Sequence, residues 1–260
     1  MILNLSEVKF NNNDIKNGVK IPKKLDEHLA HFIGIHLGDG HLNKKPQDYR
    51  MCYNGHYVNE YEWYDTYLTK LVKLLFNKEV KLSKGHNTIQ IVFSSKAIHF
   101  FLNGVCQLPI GAKKNCDVPN IIKNANMTIK RAFLRGMADT DFSLVFKNRH
   151  KKFNYYPVID HQTSNKKVND SIIKLLLDMG FKVHHGERMK KRRDKAYQSY
   201  YFQINGKKGL KKWMDEIGFT NSNQLTKLEV WKKFGHLPPK TNIKDRIAIL
   251  DGKKIIDSHV

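Results

Sequence analysis

Two aspartates end the same short pattern in this chain. Asp39 closes the stretch Phe32-Ile33-Gly34-Ile35-His36-Leu37-Gly38-Asp39-Gly40, and Asp141 holds the same place in Leu134-Arg135-Gly136-Met137-Ala138-Asp139-Thr140-Asp141-Phe142. Both copies are apolar turns with small residues four apart, Gly34 and Gly38 in the first, Gly136 and Thr140 in the second. Small side chains at that spacing leave a flat helical stripe along which another backbone can come close. If the two stripes pack together, Asp39 and Asp141 emerge side by side at one end. Two carboxylates at helix C-termini repel each other and face the negative ends of both dipoles. A divalent cation would offset that cost, so the pattern reads as a metal site.

The segments that must position these acids repeat as well. After the first copy, Tyr49 to Gly55 reads as a strand, and Glu60 to Phe76 as a helix with Tyr61, Tyr64, Leu68, Leu71, Val72 and Leu75 inward. Two strand-like runs follow, Glu79 to Lys84 and Thr88 to Ser94, around the turn residues Gly85-His86-Asn87. Ser95 then caps a helix carrying Ile98, Phe101 and Leu102. The second copy is followed by strand patterns at Asp141 to Lys147 and Tyr156 to His161, a helix over Lys167 to Met179, strands at Phe181 to His185 and Tyr200 to Ile204, and a helix over Gly209 to Ile217. Phe93-Ser94-Ser95-Lys96 and Ile204-Asn205-Gly206-Lys207 fall in matching places. Helix, two strands, helix, two strands, helix, given twice, is an α+β fold made by domain duplication. The expected division is an N-terminal arm (1–24), a first half (25–115), a linker (116–128), a second half (129–235) and a C-terminal tail (236–260).

Composition narrows the partner. Lys and Arg total 46 against 24 Asp and Glu in 260 residues, for a net charge of +22 and a pI near 9.8. A charge of that size points to a polyanion, nucleic acid before a membrane surface. No apolar run approaches the length that crosses a bilayer, and the first residues lack a signal-peptide layout, so the expected location is intracellular, cytoplasmic or organellar. Cys52, Cys106 and Cys116 are odd in number without CxxC spacing, and read as reduced thiols and not as zinc ligands. His28, His31, His36 and His41 cluster near the first motif, but no HExxH or Cys/His array accompanies them. His36 reads as a packed or hydrogen-bonded side chain.

The two copies resemble the signature of the LAGLIDADG homing endonucleases, in the single-chain form with two motifs. The eighth position, where that family carries its catalytic acid, is intact as Asp39 and Asp141. Leu37 stands where the signature has its first acid, which the second copy keeps as Asp139, and Phe142 replaces the final glycine. The resemblance implies two pseudo-symmetric αββαββα units, each with a curved antiparallel sheet, forming a DNA-spanning saddle around a central two-helix interface. It also implies a monomer with an internal pseudo-two-fold axis.

The resemblance further implies the chemistry. Asp39 and Asp141 would hold Mg²⁺ with the carbonyls of Gly38 and Thr140, Mn²⁺ or Ca²⁺ substituting in binding. The product would be a double-strand break across the minor groove with short 3′ overhangs in a long specific target. Such enzymes also use a basic residue beyond the last helix of each half. Gly111-Ala112-Lys113 matches that segment, with Lys114 as a competitor, and Lys227 in Asn223-Gln224-Leu225-Thr226-Lys227 is the counterpart in the second half. Gly55 and His56 lie where polar strand residues are usual, although Asn54-Gly55 also reads as a tight turn.

A twisted antiparallel ribbon fits the major groove with alternate residues toward the bases. The candidates in the first half are Asn43, Lys44, Lys45, Arg50, Lys81 and Lys84. In the second they are Lys147, Arg149, Lys151, Lys152, His161, Gln162 and the run Arg188, Lys190, Lys191, Arg192 and Arg193, read as a long hairpin tip making phosphate contacts. Two other functions compete with site-specific DNA cleavage: an RNA-binding intron maturase and a non-cleaving DNA-binding regulator. Intact acids in both copies favour cleavage. An intein is disfavoured, since the chain begins at Met1 and its end, Ser258-His259-Val260, lacks a His-Asn junction.

Overall fold

The computed structural model describes residues 1–45, 47–192 and 195–255, with main chain alone for Arg192 and Lys195. A short helix α1 (Asn12–Lys16) lies in the N-terminal arm. The first unit then runs α2 (Glu27–Gly38), β1 (Gly40–Leu42), β2 (Arg50–His56), a long helix built from α3 (Tyr57–Trp63), a π-turn (Tyr64–Leu68) and α4 (Thr69–Phe76), β3 (Leu82–Lys84), β4 (Thr88–Ser94), and α5 (Lys96–Phe100) with a second π-turn (Phe101–Val105). A connection containing α6 (Asn120–Lys123) leads to the second unit: α7 (Met127–Thr140), β5 (Phe142–Lys147), β6 (Tyr156–Thr163), α8 (Lys166–Asp178), β7 (Val183–Arg192), β8 (Lys195–Asn205) and α9 (Gly206–Glu216). Helices α10 (Ser222–Phe234) and α11 (Ile243–Leu250) close the described chain.

Each unit holds one four-stranded antiparallel sheet, ordered β1-β2-β4-β3 and β5-β6-β8-β7. The same order in both halves is the duplication read from the sequence. Register decides which side chains meet the helices. In the first sheet Leu42, Met51 and Phe93 share a buried row, as do Tyr53 and Ile91. In the second, Phe142, His161 and Phe202 form the equivalent row.

The halves meet along α2 and α7. Both helices start on a side-chain cap, Asp26 accepting from Leu29 N–H and Asn126 from Ile129 N–H. A Cβ added at Gly34 would stand 2.2 Å from the Phe133 carbonyl oxygen, and one at Gly136 would stand 2.1 Å from that of His31. The backbones therefore touch, and only glycine fits at either position. At Gly38 the corresponding obstacle is Thr140 Oγ1, at 2.0 Å.

Three expectations change. The run from Arg188 belongs to β7 and not to a hairpin tip, because β7 and β8 pair all the way from Val183↔Ile204 to Arg192↔Lys195. A two-stranded ribbon extending past its sheet has water on both faces, so it needs no alternation of polarity to betray it. Asn54-Gly55 is no turn; both residues lie in β2 opposite Gln90 and Ile89. Gly55 leaves space for the ring of Tyr64 and the carboxylate of Glu60, which a Cβ would meet at 2.5 and 3.0 Å. Tyr61 faces outward while Trp63 and Tyr64 are buried, since the π-turn that begins at Tyr64 shifts the helical phase.

Candidate active site

The chain leaves α2 and α7 in the same way. Asp39 (φ −93°, ψ −13°) and Asp141 (φ −101°, ψ −14°) follow their helices with N–H groups donating to Ile35 O (2.9 Å) and Met137 O (2.8 Å). Their side chains stand at one end of the glycine interface. Asp39 is half-buried; loss of water, then repulsion from Asp141 and Glu60, pushes its carboxyl up to about 8, against the pull of Lys113 and of the Tyr64 hydroxyl, which donates at 3.3 Å. Asp141 is at the surface, yet desolvation by the protein beneath it raises its carboxyl too, opposed by His161 and Lys113. The structure thus brings the two acids into one electrostatic field.

The two helix ends are finished differently. Lys113 Nζ donates to three successive carbonyls of α2, those of His36 (3.0 Å), Leu37 (2.9 Å) and Gly38 (2.5 Å). At the end of α7 a neutral amide does this work: Asn221 Nδ2 donates to Asp139 O at 2.7 Å. The Asp139 carboxylate, in turn, is buried and accepts from Thr220 N–H (2.7 Å), Thr220 Oγ1 (2.5 Å) and Asn221 N–H (2.9 Å), and meets His31 Nε2 of α2 at 2.8 Å. His31 Nδ1 is paired with Tyr67 OH, and Trp63 Nε1 donates to Thr220 Oγ1. This network ties the two halves beneath the acids. Leu37, at the matching place in the first copy, is simply buried.

Lys227 does not repeat the position of Lys113. Its Nζ donates to Gln224 Oε1 (3.1 Å), and burial, then the neighbouring Arg246, lowers its pKa to about 8 while Glu60 opposes. Gln224 in turn donates to Phe142 O and accepts from Leu144 N–H, fixing α10 to the first strand after Asp141. Glu60 joins the two centres: it accepts from His56 N–H (2.7 Å) and Asn221 Nδ2 (3.2 Å) and acts on both Asp39 and Lys227. Glu60, Tyr64 and Asn221 were missed in the sequence. Their helical or loop spacing carries no trace of these cross-element contacts.

The proposed DNA contacts divide by strand register. In the first half His41, Arg50, Cys52, Asn54 and His56 share the sheet face away from the helices with Thr88, Gln90 and Val92. Lys44, Lys45 and Lys81 are exposed beside it, while Asn43 and Arg50 are both held by Asp48, at 2.6 and 2.8 Å. Lys84 is a correction. It pairs in register with buried Ile89, on the helix side, and its Nζ lies over the rings of Tyr57 (5.0 Å) and Tyr61 (5.7 Å).

In the second half Lys147, Asp160, Gln162, Gln203 and Arg188 line the open face. Gln162 Oε1 accepts from Arg188 (3.0 Å) and from Lys190 (2.6 Å). Lys191 alternates onto the other face of the ribbon with Met189; Arg192 is described by main chain only, and Arg193 lies outside the described residues. Arg149, Lys151 and Lys152 are exposed between β5 and β6, with the Arg149 guanidinium 3.7 Å over the Tyr156 ring. His161 is the second correction. It is 1% exposed, sits between the rings of Phe142 and Phe202, and its Nδ1 meets Asp141 O at 3.3 Å, so it supports Asp141 and reaches no base.

The residues fit a divalent ion that takes part of its shell from outside the chain and not one caged by protein alone. Among the described residues no group of three or more His, Cys, Asp or Glu side chains converges. Two carboxylates whose pKa values are raised by desolvation gain from a nearby cation, and oxygen ligands from outside the chain would complete its shell.

No protein-family model matches the chain. The structure is similar to that of the homing endonuclease I-DmoI, with a TM-score of 0.51 and 15% identity over 74% of this chain and 88% of that one. I-DmoI in complex with DNA and Mn gives 0.50 and 15% over 75% and 98%. The chain has the LAGLIDADG fold. Among curated sequences, the chain is 28% identical to the uncharacterized protein MJ1054 of Methanocaldococcus jannaschii over 247 residues, 91% of this chain. It is 26% identical to the replication factor C small subunit of the same organism over 208 residues, 78% of this chain. The match spans only 26% of the length of the first and 10% of the second. No described helix is long and apolar enough to cross a membrane.

Proposed function

We propose that the protein is an intracellular, site-specific DNA endonuclease that makes a metal-dependent double-strand break, acting as a monomer whose halves each supply one acid. The observation that carries this reading is the acid pair at the joined ends of α2 and α7, flanked by two open sheet faces rich in polar and basic side chains. The relatives add support. A matching stretch that fills 26% of one curated protein and 10% of another fits an element carried within longer chains, as homing elements can be.

Asp39 and Asp141 would hold Mg²⁺, with the carbonyls of Thr140 and Gly38 as further oxygen donors. The bound ion would supply Lewis acidity at the phosphate and a water of lowered pKa. The chain does the rest. The glycine interface fixes the spacing of the two carboxylates before DNA arrives, so little ordering remains at the moment of reaction. His161 and Phe142 back Asp141 from the core. Arg50, Lys147, Gln162, Arg188 and Lys190 would follow the duplex, with Lys44, Lys45, Lys81, Arg149, Lys151 and Lys152 at the edges as phosphate contacts. The break would leave short 3′ overhangs in a long target.

Selection of cut sites from a randomised duplex library with Mg²⁺ tests this. One long consensus site with staggered ends is the expected result, and binding to it should weaken steeply with added salt. A library left uncut under conditions where the chain binds DNA tightly would contradict the proposal.

A further inference from the structure

The ammonium of Lys113 occupies a position that the metal reading needs. It gives hydrogen bonds to the carbonyls of His36, Leu37 and Gly38 at 3.0, 2.9 and 2.5 Å, and an ammonium has three protons to give. Those carbonyls are the negative end of α2. Gly38 O, expected as a metal ligand, is therefore already satisfied by a cation. The tether is held from both sides. Gly111 N–H donates to Leu42 O at 2.8 Å, anchoring the approach to β1, and Asn165 Nδ2 of the second half donates to Lys113 O at 2.7 Å. Both Asp39 and Asp141 feel the charge. At the end of α7 a neutral amide, Asn221 Nδ2, stands instead.

We propose that Lys113 is the resident counter-ion of the metal-free centre, and that a divalent ion gains the Gly38 carbonyl only by displacing this ammonium. Two cations cannot share one carbonyl oxygen at bonding distance without strong repulsion. Lysine and metal are thus competitors for the α2 end, and the acid pair is never left without a positive charge. The proposal rests on the acid pair being the metal site.

The test is Ca²⁺ binding to the full chain without DNA, by calorimetry and by melting in EDTA against Ca²⁺, for wild type, Lys113→Met, Lys114→Met and Asp39→Asn. Lys114 is an adjacent exposed charge with no hydrogen-bond partner among the described residues. Lys113→Met should bind Ca²⁺ about tenfold tighter than wild type, melt lower in EDTA, and regain more on Ca²⁺ addition than wild type gains. Lys114→Met should change little. Equal or weaker Ca²⁺ binding by Lys113→Met, or equal tightening by Lys114→Met, overturns the proposal while leaving the metal site intact. Ca²⁺ binding that Asp39→Asn does not weaken overturns the metal reading itself; no Ca²⁺ binding by either wild type or Lys113→Met overturns the proposal, because the freed Gly38 carbonyl then gains no ion. If Lys113→Met fails to fold, Lys113→Gln is read by the same criteria.

Discussion

The ends of α2 and α7 match in backbone and differ in everything that finishes them. Both pass into an aspartate with nearly the same dihedral angles, after glycines that let the helices touch. One is then closed by the charged Lys113 and the other by the neutral Asn221; one carries Leu37 and the other the buried Asp139 that reaches across to His31. What the halves share is what the acid pair needs, and what they do not share is how each half is held together. Duplication set up the geometry, and divergence then worked on its supports.

The shared part should break most severely. Gly34→Ala and Gly136→Ala each drive a methyl into an opposing carbonyl that cannot swing aside, so each should cost about 3 kcal/mol or more in denaturant unfolding. Equal, small losses at both sites would show that the helices can part without harm. Next comes Asp139→Asn. It keeps the shape but turns one oxygen into a donor, facing the Thr220 and Asn221 N–H groups on the Oδ1 side or Thr220 Oγ1 and His31 Nε2 on the Oδ2 side, with an expected loss of about 3 kcal/mol. A neutral result would mean that the cross-half network is decorative. Asn221→Ala removes only the amide on Asp139 O, and about 1–2 kcal/mol is expected, less than for Asp139→Asn.

A last prediction concerns pH. Asp39 sits near 8 in the metal-free fold against an ordinary 3.8, so the folded state holds a proton that the unfolded state has released across that window. Stability without metal should fall as pH rises from about 4 to about 8. Lys227, near 8 against 10.5, has the opposite sign: between those values the unfolded state binds the extra proton, and stability recovers as pH rises. Measured against Asp39→Asn and Lys227→Met, the wild-type melting temperature in EDTA should fall between pH 4 and about 8 and recover above it. In Asp39→Asn the descending limb should shrink, and an unchanged limb would assign the proton elsewhere.

Much of this architecture was legible in the residues because it follows from periodicity. Thr88 to Ser94 forms the strand that its alternation announces, and Ser95 caps α5 by accepting from Ile98 N–H. The spacing of Gly34 with Gly38 and of Gly136 with Thr140 told which faces would meet. Contacts between distant segments were not legible. Nothing local in Lys113 says that it will cap three carbonyls of α2, and nothing in Glu60 says that it will stand between Asp39 and Lys227. The polarity of His161 suggests a DNA contact, but its pairing with Phe142 and Phe202 puts it in the core. The charge of Lys84 likewise suggests the open face, but Ile89 opposite it is buried. The phase shift of the π-turn at Tyr64 has no signature in a regular helical count.

The most direct test of the joint role of the acids is strand-resolved cleavage of a doubly end-labelled target duplex in Mg²⁺ by Asp39→Asn and Asp141→Asn, with duplex affinity measured alongside in Ca²⁺. The account predicts that each variant binds the duplex as wild type does and loses cleavage by about 10³-fold or more. Both strands cut at wild-type rates by both variants would contradict it.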